Sequence, residues 1–518
     1  MSLLMRLYDK LNIHSVAYLT QYCCGNCNSV STEHNVPMGT VRRVRIPQTW
    51  LVLALQIGML GGLLWTKYGH TPKLVYGLGL AVFIPLVLKR KWPALLILVA
   101  MGVCVGLWRG NTLLVGLHEY DDWYDRSVSL QGIVSDDAAY ADRGQLSFHI
   151  QQVRDEDGEV VPGKIAVKGF YPGVLRGDIV TVSGKLRRGF GSNQASMSFA
   201  EIEIIGRRDS VVERVRGRFF AGLYSALPEP QASLGLGFLV GARSLLPEAL
   251  TRELTTTGLT HIVAVSGYNL TILVDAMRRL LVKRSKYLTT ISSLALIGIF
   301  IAITGFSASI ARAAIVSILT LWAWYFGRTI RPFVLLVTAA TISAMWQPLY
   351  FWTDLGWYLS FLAFFGILIV APTITKRLYR SKKPRLVPQI IIETSSAQLM
   401  TLPLIAYVFG ELSVVALLAN LVILPLVPIA MLFTAVAGLA GMFVTDIAGW
   451  FAWPAKTLLG TIVQLIELFA RIPGALREVH ITRELFILYY LAMLSIVFIM
   501  RLKVRRLDET VTDEVQLS

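Results

Sequence analysis

The sequence predicts a polytopic α-helical membrane protein with a small all-β domain inserted between two membrane sections. Composition is the first observation: 54% of the 518 residues are hydrophobic and only 16% are charged, whereas soluble domains carry about 25% charged residues. Second, several apolar runs approach the roughly 17–25 residues that a transmembrane helix needs. Third, a polar stretch between these runs alternates with period two, which indicates β-strands.

The apolar runs define two membrane sections. Residues 1–49 form a polar N-terminal tail, and residues 50–109 contain three runs that predict a transmembrane hairpin plus a third span. These runs are Leu51–Trp65, Leu74–Leu88 and Ala94–Trp108. Residues 231–505 add about nine passes, so about twelve transmembrane helices are expected before the C-terminal tail at 506–518.

Residues 127–208 predict the inserted β-domain. Five short strands separated by turn residues are expected at Ser129–Val134, Leu146–Val153, Lys164–Phe170, Ile179–Leu186 and Ser198–Ile205. Five short strands suggest an OB-like barrel, although periodicity does not separate such a barrel from another small β-domain that acts as a spacer. Residues 211–230 then predict an amphipathic linker helix that lies at the membrane surface.

Charge predicts the orientation of the chain. The formal net charge is +16, and basic runs such as Lys89–Lys91, Lys376–Arg385 and Arg501–Arg506 lie beside predicted spans. The positive-inside rule accounts for this pattern, so net charge alone is weak evidence for a nucleic-acid ligand. Both termini are expected on the cytoplasmic side of the cell membrane, with the β-domain extracytoplasmic.

Four polar clusters interrupt the apolar runs of the second section, where polar side chains are costly and therefore functional candidates. They contain His261, Ser266, Gly267 and Asn269; Gly305, Ser309 and Arg312; Asp354 and Ser360; and Gln398 and Asn420. Arg312 can either snorkel to the interface or line an aqueous path. Asp354 can be a helix cap, and Asn420 can serve packing. Pro403, Pro425 and Pro428 predict kinked or discontinuous helices.

In this order and at these separations, the four clusters resemble the competence domain of the ComEC family, and the resemblance covers about residues 50–500. The matching positions are His261, Ser266 and Gly267; Gly305, Ser309, Arg312 and Ala313; Asp354, Gly356, Leu359, Ser360 and Phe361; and Gln398, Pro403, Phe409, Gly410, Asn420 and Pro425. The resemblance implies a channel that carries single-stranded DNA inward during natural transformation. Asn269 and Tyr358 depart from the residues that many relatives have there.

The resemblance also implies partners. Some relatives carry a C-terminal domain like the metallo-β-lactamases, but the seven histidines here include no His-x-His-x-Asp-His cluster. No Walker-type phosphate loop is present either. We therefore expect no nuclease or ATPase activity in this chain, and separate proteins as motor, DNA receptor and nuclease. No cofactor or metal is predicted, because Cys24 and Cys27 form a single Cys-x-x-Cys pair.

Exposed aromatic residues of the β-domain are candidates for stacking on DNA bases, as in other single-strand binders. The candidates are Phe148, Phe170, Tyr171 and Phe190. Two alternatives remain open. Ser266 with His261 could indicate an intramembrane serine hydrolase, although the two lie on different helical faces. Kinked helices with sparse ionisable residues could indicate a secondary transporter of a small solute.

Overall fold

The computed structural model describes residues 47–68, 93–140, 145–155, 158–171, 173–208, 210–263, 267–305, 308–329, 331–379, 384–444 and 447–517. Nearly all of the predicted N-terminal tail and the apolar run Leu74–Leu88 lie outside these ranges, as does Ser266. The domain boundaries expected from the sequence stay predictions, and the description below follows the chain.

Two tightly packed helices precede the β-domain, α1 (Gln48–Tyr68) and α2 (Pro93–His118). Gly58 and Gly62 of α1 face Gly102 and Gly106 of α2, and a Cβ on Gly62 would lie 2.3 Å from the Val103 carbonyl oxygen. Such small residues let helix backbones approach closely in a membrane. Because the contacts advance in the same direction along both helices, α1 and α2 run parallel, which fits a third span that points the same way as the first.

Within the described residues, the β-domain is a five-stranded barrel with a short sixth strand. The strands are β1 (Ser127–Val134), β2 (Ala139–Tyr140), β3 (Leu146–Arg154), β4 (Val160–Gly169), β5 (Asp178–Arg188) and β6 (Ala195–Arg207). The sheet runs β1-β5-β6-β4-β3-β2, a β1–β3 pairing closes it, and β4 and β6 are parallel. All five predicted strands are present, with small shifts at their ends.

The alternation of buried and exposed side chains explains why these strands form a closed barrel. In β3 the side chains of Phe148 and Ile150 point inward, and in β5 those of Val180 and Val182 do so. These side chains are fully buried and belong to one apolar cluster that fills the barrel. Burial of alternate apolar residues therefore holds the barrel together and leaves its outer face polar.

The linker contains α3 (Val211–Ala226), which packs on the later helix α16 (Val427–Phe443). A Cβ on Gly441 would lie 2.0 Å from the Gly222 carbonyl oxygen, and Gly438 faces the ring of Phe219. The amphipathic helix expected from the sequence is therefore present, but protein covers part of its apolar face. Whether its remaining face lies on a membrane stays a prediction.

The rest of the chain is mostly helical. Before the first polar cluster it forms α4 (Gln231–Val240), the 3₁₀ turn Arg243–Leu245 and α5 (Glu248–Thr256). It continues with α6 (Thr260–Val263), α7 (Gly267–Leu281), α8 (Lys286–Thr304), α9 (Ala308–Tyr325), α10 (Pro332–Trp346), α11 (Pro348–Thr353) and α12 (Leu355–Phe365). A π-helical turn, Gly366–Val370, joins α12 to α13 (Ala371–Tyr379).

The C-terminal elements complete the bundle. They are α14 (Leu386–Phe409), β7 (Glu411–Ser413), α15 (Ala416–Ile423), α16, α17 (Ala448–Ala470), β8 (Leu476–Glu478) and α18 (Arg483–Leu517). Strands β7 and β8 pair antiparallel. The predicted C-terminal tail thus continues as helix to Leu517.

Six helical segments in the described part of the chain are long and apolar enough to cross a membrane. They are Gln48–Tyr68, Ala94–His118, Lys286–Thr304, Leu355–Tyr379, Val387–Phe409 and Arg483–Lys503. The bent pair α15 and α16, which meet at 51°, would make a seventh span. Three shorter apolar helices add to these. The membrane character is therefore supported, and the number of about twelve spans stays a prediction.

A candidate polar passage through the helical section

Arg312 brings two of the polar clusters together. It is only 1% exposed, and its Nη2 donates to the Gly356 carbonyl oxygen at 2.9 Å and to Ser309 Oγ at 3.3 Å. Its guanidinium also lies 5.8 Å from the centre of the Phe361 ring. Arg312 of the second cluster and Gly356 of the third are 44 residues apart in the sequence. The two clusters therefore form one site.

The charge of Arg312 is incompletely satisfied. Its Nε and Nη1 are buried and have no hydrogen-bond partner within the described ranges. The nearby Asp354 carboxylate acts on Arg312 through its charge, while its Oδ1 accepts from the Trp357 backbone N–H at 2.6 Å and caps α12. Buried arginines normally bind a carboxylate or several acceptors. The two free donor groups can therefore bind an anion.

Gly305 connects this site to the barrel. Its φ of +89° favours glycine, and a Cβ there would lie 3.3 Å from Nη1 of Arg176, a barrel residue. Arg176 donates to the carbonyl oxygens of Ala302 and Ile303, both at 2.9 Å. These carbonyls belong to the last turn of α8, whose orphan acceptors need such partners. Arg176 thus attaches the barrel to the end of α8, the helix that precedes α9 and Arg312 in the chain.

An ion-pair network strengthens this contact. Arg176 pairs with Glu213 of α3 at 3.3 Å, and Arg216, which is 7% exposed, pairs with both Glu213 and Asp137 of the barrel. Burial lowers the pKa of Arg176, and the charge of Glu213 opposes that shift. Four charged groups from the barrel and the linker thereby lock the two parts together beside α8.

A second barrel loop touches the same region. Thr353 Oγ1, at the end of α11, donates to the Gly191 carbonyl oxygen in the β5–β6 turn. Thr353 directly precedes Asp354. Phe190, in the same turn, is 74% exposed. The barrel therefore contacts the helical section at two places near the Arg312 site, at the end of α8 and at Thr353.

The first and fourth clusters also meet. Gly258 has a φ of +71°, and a Cβ there would lie 2.8 Å from Cβ of Ala416 on α15. His261 Nδ1 lies 3.1 Å from the Gly258 carbonyl oxygen, and its ring is exposed. Asn269, 1% exposed, donates from Nδ2 to the Phe238 carbonyl oxygen at 2.8 Å. Of the predicted pass Gly258–Leu280, the structure describes α6 and α7, and residues 264–266 between them lie outside the described ranges.

Pro403 frees a backbone acceptor in the fourth cluster. Proline has no N–H to donate to the carbonyl four residues earlier, which here is that of Leu399. Tyr489 of α18 donates its hydroxyl to this oxygen at 3.0 Å, and Tyr490 donates to Met400 O at 2.8 Å. Helix α14 continues through Pro403, where a break was expected, and the acceptor that the proline leaves free contacts α18 instead.

Further polar atoms lie buried and without a hydrogen-bond partner in the fourth cluster, as far as the described chain shows. They are Ser396 Oγ, Gln398 Oε1, Ser413 Oγ and Asn420 Oδ1. Ser360 of the third cluster is half-buried. A buried polar group without a partner costs about 1–3 kcal/mol. Several such groups on the cluster helices indicate a region made for polar occupants.

The helices that carry the four clusters pack on one another in series. Helix α7 packs on α9, α9 on α12, α12 on α14, and α14 on α15. Gly258, two residues before α6, contacts Ala416 of α15. Asn269, Arg312, Gln398 and Asn420 are therefore carried by a series of neighbouring helices, and His261 follows the Gly258 contact.

The barrel aromatics divide into two groups. Phe170, Tyr171 and Phe190 are 59%, 44% and 74% exposed, as expected. The expectation for Phe148 is wrong, because its side chain is 0% exposed and lies in the barrel core. Two further residues were not expected from the sequence: Phe199, which is 60% exposed, and Arg176, which contacts α8. A β-bulge exposes Phe199, and a contact with α8 fixes the position of Arg176.

The hydrolase and metal alternatives gain no support from the described residues. Ser266 lies outside them, so its geometry with His261 stays untested. In the part of the chain that the structure describes, no three His, Cys, Asp or Glu residues are grouped so as to hold a metal ion. Cys24 and Cys27 also lie outside that part.

Comparison with known proteins agrees with the clusters. A family profile described as Competence protein matches residues 238–504. ComE operon protein 3 of Bacillus subtilis (strain 168) is 25% identical over 235 residues, which are 44% of this chain but only 29% of that relative. No solved structure matches the chain. Because the profile covers just over half of the 518 residues and contains all four clusters, the chain belongs to the competence protein family, as its resemblance to ComEC proteins predicted.

Proposed function

We propose that this chain is a membrane channel that carries single-stranded DNA inward across the cell membrane during natural transformation. Membership of the competence family supports a role in DNA uptake. The observation that supports the channel is Arg312, a buried cation whose Nε and Nη1 have no partner in the described residues. A channel for a polyanion needs such a group within its apolar walls.

Chemistry favours a phosphodiester as the anion at Arg312. Guanidinium is planar and always charged, and its N–H groups are strong donors to phosphate oxygens. Each nucleotide carries one negative charge, so a strand passes one phosphate after another over such a site. Because Nη2 is held by Gly356 and Ser309, the remaining donors keep a fixed direction.

The barrel supports the path that the strand takes. We propose that it is of the OB type, whose loops after the first strand and between the last two strands bind oligonucleotides. Here the corresponding loops contain Asp137, which pairs with Arg216, and Gly191, which accepts from Thr353. A strand that leaves these loops would reach the Arg312 site directly. Phe170, Tyr171 and Phe190 would stack on its bases.

Charge supports the orientation. Arg176 contacts the Thr304 end of α8, whereas Lys283, Arg284 and Lys286 lie at or just before its other end. The positive-inside rule assigns that basic end to the cytoplasm and the barrel to the outside. Both termini would then be cytoplasmic. A separate motor, DNA receptor and nuclease would complete the uptake system.

A small-solute transporter is the second candidate. Discontinuous helices are a recurring feature of such transporters, and the 51° bend between α15 and α16 is of that kind. The π-helical turn after α12 is another interruption. A transporter would take up its solute whether or not DNA is supplied, which separates the two candidates.

The test is the entry of labelled DNA into cells that lack the gene and carry a plasmid copy. We expect the wild type and Arg471→Gln to restore entry, since Arg471 is exposed and its ion pair in the described residues is with Glu467 of its own helix segment. Arg312→Gln should leave DNA bound at the cell surface without entry. Normal entry in the deletion strain would refute the channel.

A further inference from the structure

Two phenylalanines form an exposed aromatic pair on the barrel. Phe170 follows β4 and Phe199 lies in β6, and their side chains are 59% and 60% exposed. Their ring centres are 6.1 Å apart with an angle of 44° between the planes. Two large apolar rings that touch in solvent bury little area in the barrel itself, so packing does not explain them.

A β-bulge creates this pair. Ser198 pairs with Lys168 and Ala200 pairs with Gly169, so Phe199 is an extra residue with no partner on β4. Its φ is +57°, a conformation that is unusual for a bulky residue. Gly169 allows the two strands to approach, because a Cβ there would lie 2.7 Å from the Ala200 carbonyl oxygen. Bulges commonly redirect a side chain next to a functional site.

The strain at Phe199 points to a role in binding. Met197, two residues before it, and Ala200, directly after it, are buried in the barrel core, whereas the strained residue itself presents its ring to solvent. Glycine or asparagine would adopt this backbone more easily. Backbone strain that exposes an aromatic ring is therefore an observation that favours a ligand over a structural role.

The neighbouring charge indicates the ligand. Successive side chains of a strand point to opposite faces; Val167 is buried, so Lys168 lies on the outer face of β4, two residues before Phe170. A ring platform beside an ammonium group fits a planar aromatic group linked to a phosphate. Building on the proposed function, we propose that Phe170 and Phe199 form a stacking platform for a nucleobase of the incoming single strand, with Lys168 beside its phosphate.

Binding of defined strands by the full chain in lipid nanodiscs tests this platform. The probes are a dye-labelled oligothymidylate and an oligomer of the same length made of abasic units. The variants are Phe170→Leu, Phe199→Leu and Phe199→Gly. Ile205→Ala is the control, since Ile205 is exposed to a similar degree on the same strand, at 54%.

We expect the wild type and the control to bind the thymidylate more tightly than the abasic strand. Each phenylalanine variant should weaken thymidylate binding by roughly 5- to 150-fold, since stacking on an aromatic is typically worth 1–3 kcal/mol per base. Binding of the abasic strand should stay unchanged. Phe199→Gly should keep the thermal midpoint of the wild type, which separates loss of the ring from loss of the fold.

Three results would overturn the platform: equal binding of the two strands by the wild type, no binding of either, or unchanged thymidylate binding in the variants. In the last case the rings would face lipid or a protein instead. None of these results changes the Arg312 experiment, which measures DNA entry. Loss of entry in Arg312→Gln with intact base preference in Phe199→Leu would reject the platform alone.

Discussion

Arg312 on α9 and Gly356 on α12 are joined by a hydrogen bond of 2.9 Å from a guanidinium to a backbone carbonyl. Gly356 lies two residues after Asp354, whose Oδ1 caps α12 while its charge acts on the arginine. One donor atom of Arg312 thus fixes its position, while two others have no partner in the described chain. This arrangement costs stability locally and is what an anion site requires.

Replacement of Arg312 by methionine should separate stability from function. Burial of a charge whose donors lack partners costs free energy, so the thermal midpoint in detergent should stay the same or rise. DNA entry should fall by about tenfold or more, because a hydrogen bond to a charged group contributes about 1.5–3 kcal/mol. A methionine variant that unfolds would instead indicate a structural role for Arg312.

Arg176→Ala should loosen the barrel from the helical section. The carbonyls of Ala302 and Ile303 would lose their donors, so amide hydrogen exchange in the last turn of α8 should become faster. DNA entry should decrease while binding of single strands by the chain persists. Arg187→Ala is the control, since Arg187 is an exposed β5 residue. Unchanged exchange at residues 301–305 would contradict the proposed attachment.

Tyr489→Phe should destabilise the contact between α14 and α18 by about 1 kcal/mol, the net worth of a typical hydrogen bond. The reason is that Tyr489 supplies the donor that Pro403 lacks. In a Pro403→Ala background the Leu399 carbonyl regains a backbone donor, so the same change should cost less. A double-mutant cycle on the free energy of unfolding measures this coupling. Equal costs in both backgrounds would mean that Tyr489 acts independently of the proline.

Asp136 predicts an acid-sensitive barrel. Burial alone would raise its pKa, but the hydrogen bond from His149 at 2.6 Å, the charges of His149 and Lys164, and Ser135 lower it to about 2. Because the unfolded value is about 3.9, the stabilisation is complete above that pH and is lost as the pH falls towards 2. Tryptophan fluorescence should show a decrease in unfolding free energy over this window for the wild type. Asp136→Asn should show a flatter curve, and parallel curves would contradict the assignment.

The sequence predicted the parts of the structure that follow local periodicity. Period-two alternation located the five strands, and the spacing of polar residues identified Arg312 and its neighbours. The same alternation could have corrected the expectation for Phe148, since Phe148 and Ile150 share the inner face of β3. Aromatic residue type was the wrong criterion there, because it ignored which face of the strand each side chain occupies.

Other features depend on contacts that no local pattern contains. Whether Arg312 snorkels or faces inward is decided by Gly356, and the exposure of Phe199 is decided by a single extra residue in β6. From the sequence alone Arg176 lies in a turn, and only the fold brings the end of α8 beside it. The number of spans stays a prediction, because short and bent helices such as α15 and α16 do not reveal from length alone whether they cross.

The most direct test of the passage is cross-linking to DNA in transit. Ser309, whose hydroxyl lies 3.3 Å from Arg312 Nη2, is replaced by cysteine. Cells then take up a DNA strand that carries thiol-reactive groups on its phosphorothioates. Ser495→Cys on α18 is the control, since the Ser495 hydroxyl donates to Leu491 O of its own helix and the residue is exposed. The account predicts a DNA adduct at position 309 and none at 495, and only during uptake. Normal uptake of the reactive strand without an adduct at 309 would contradict a path that runs past Arg312.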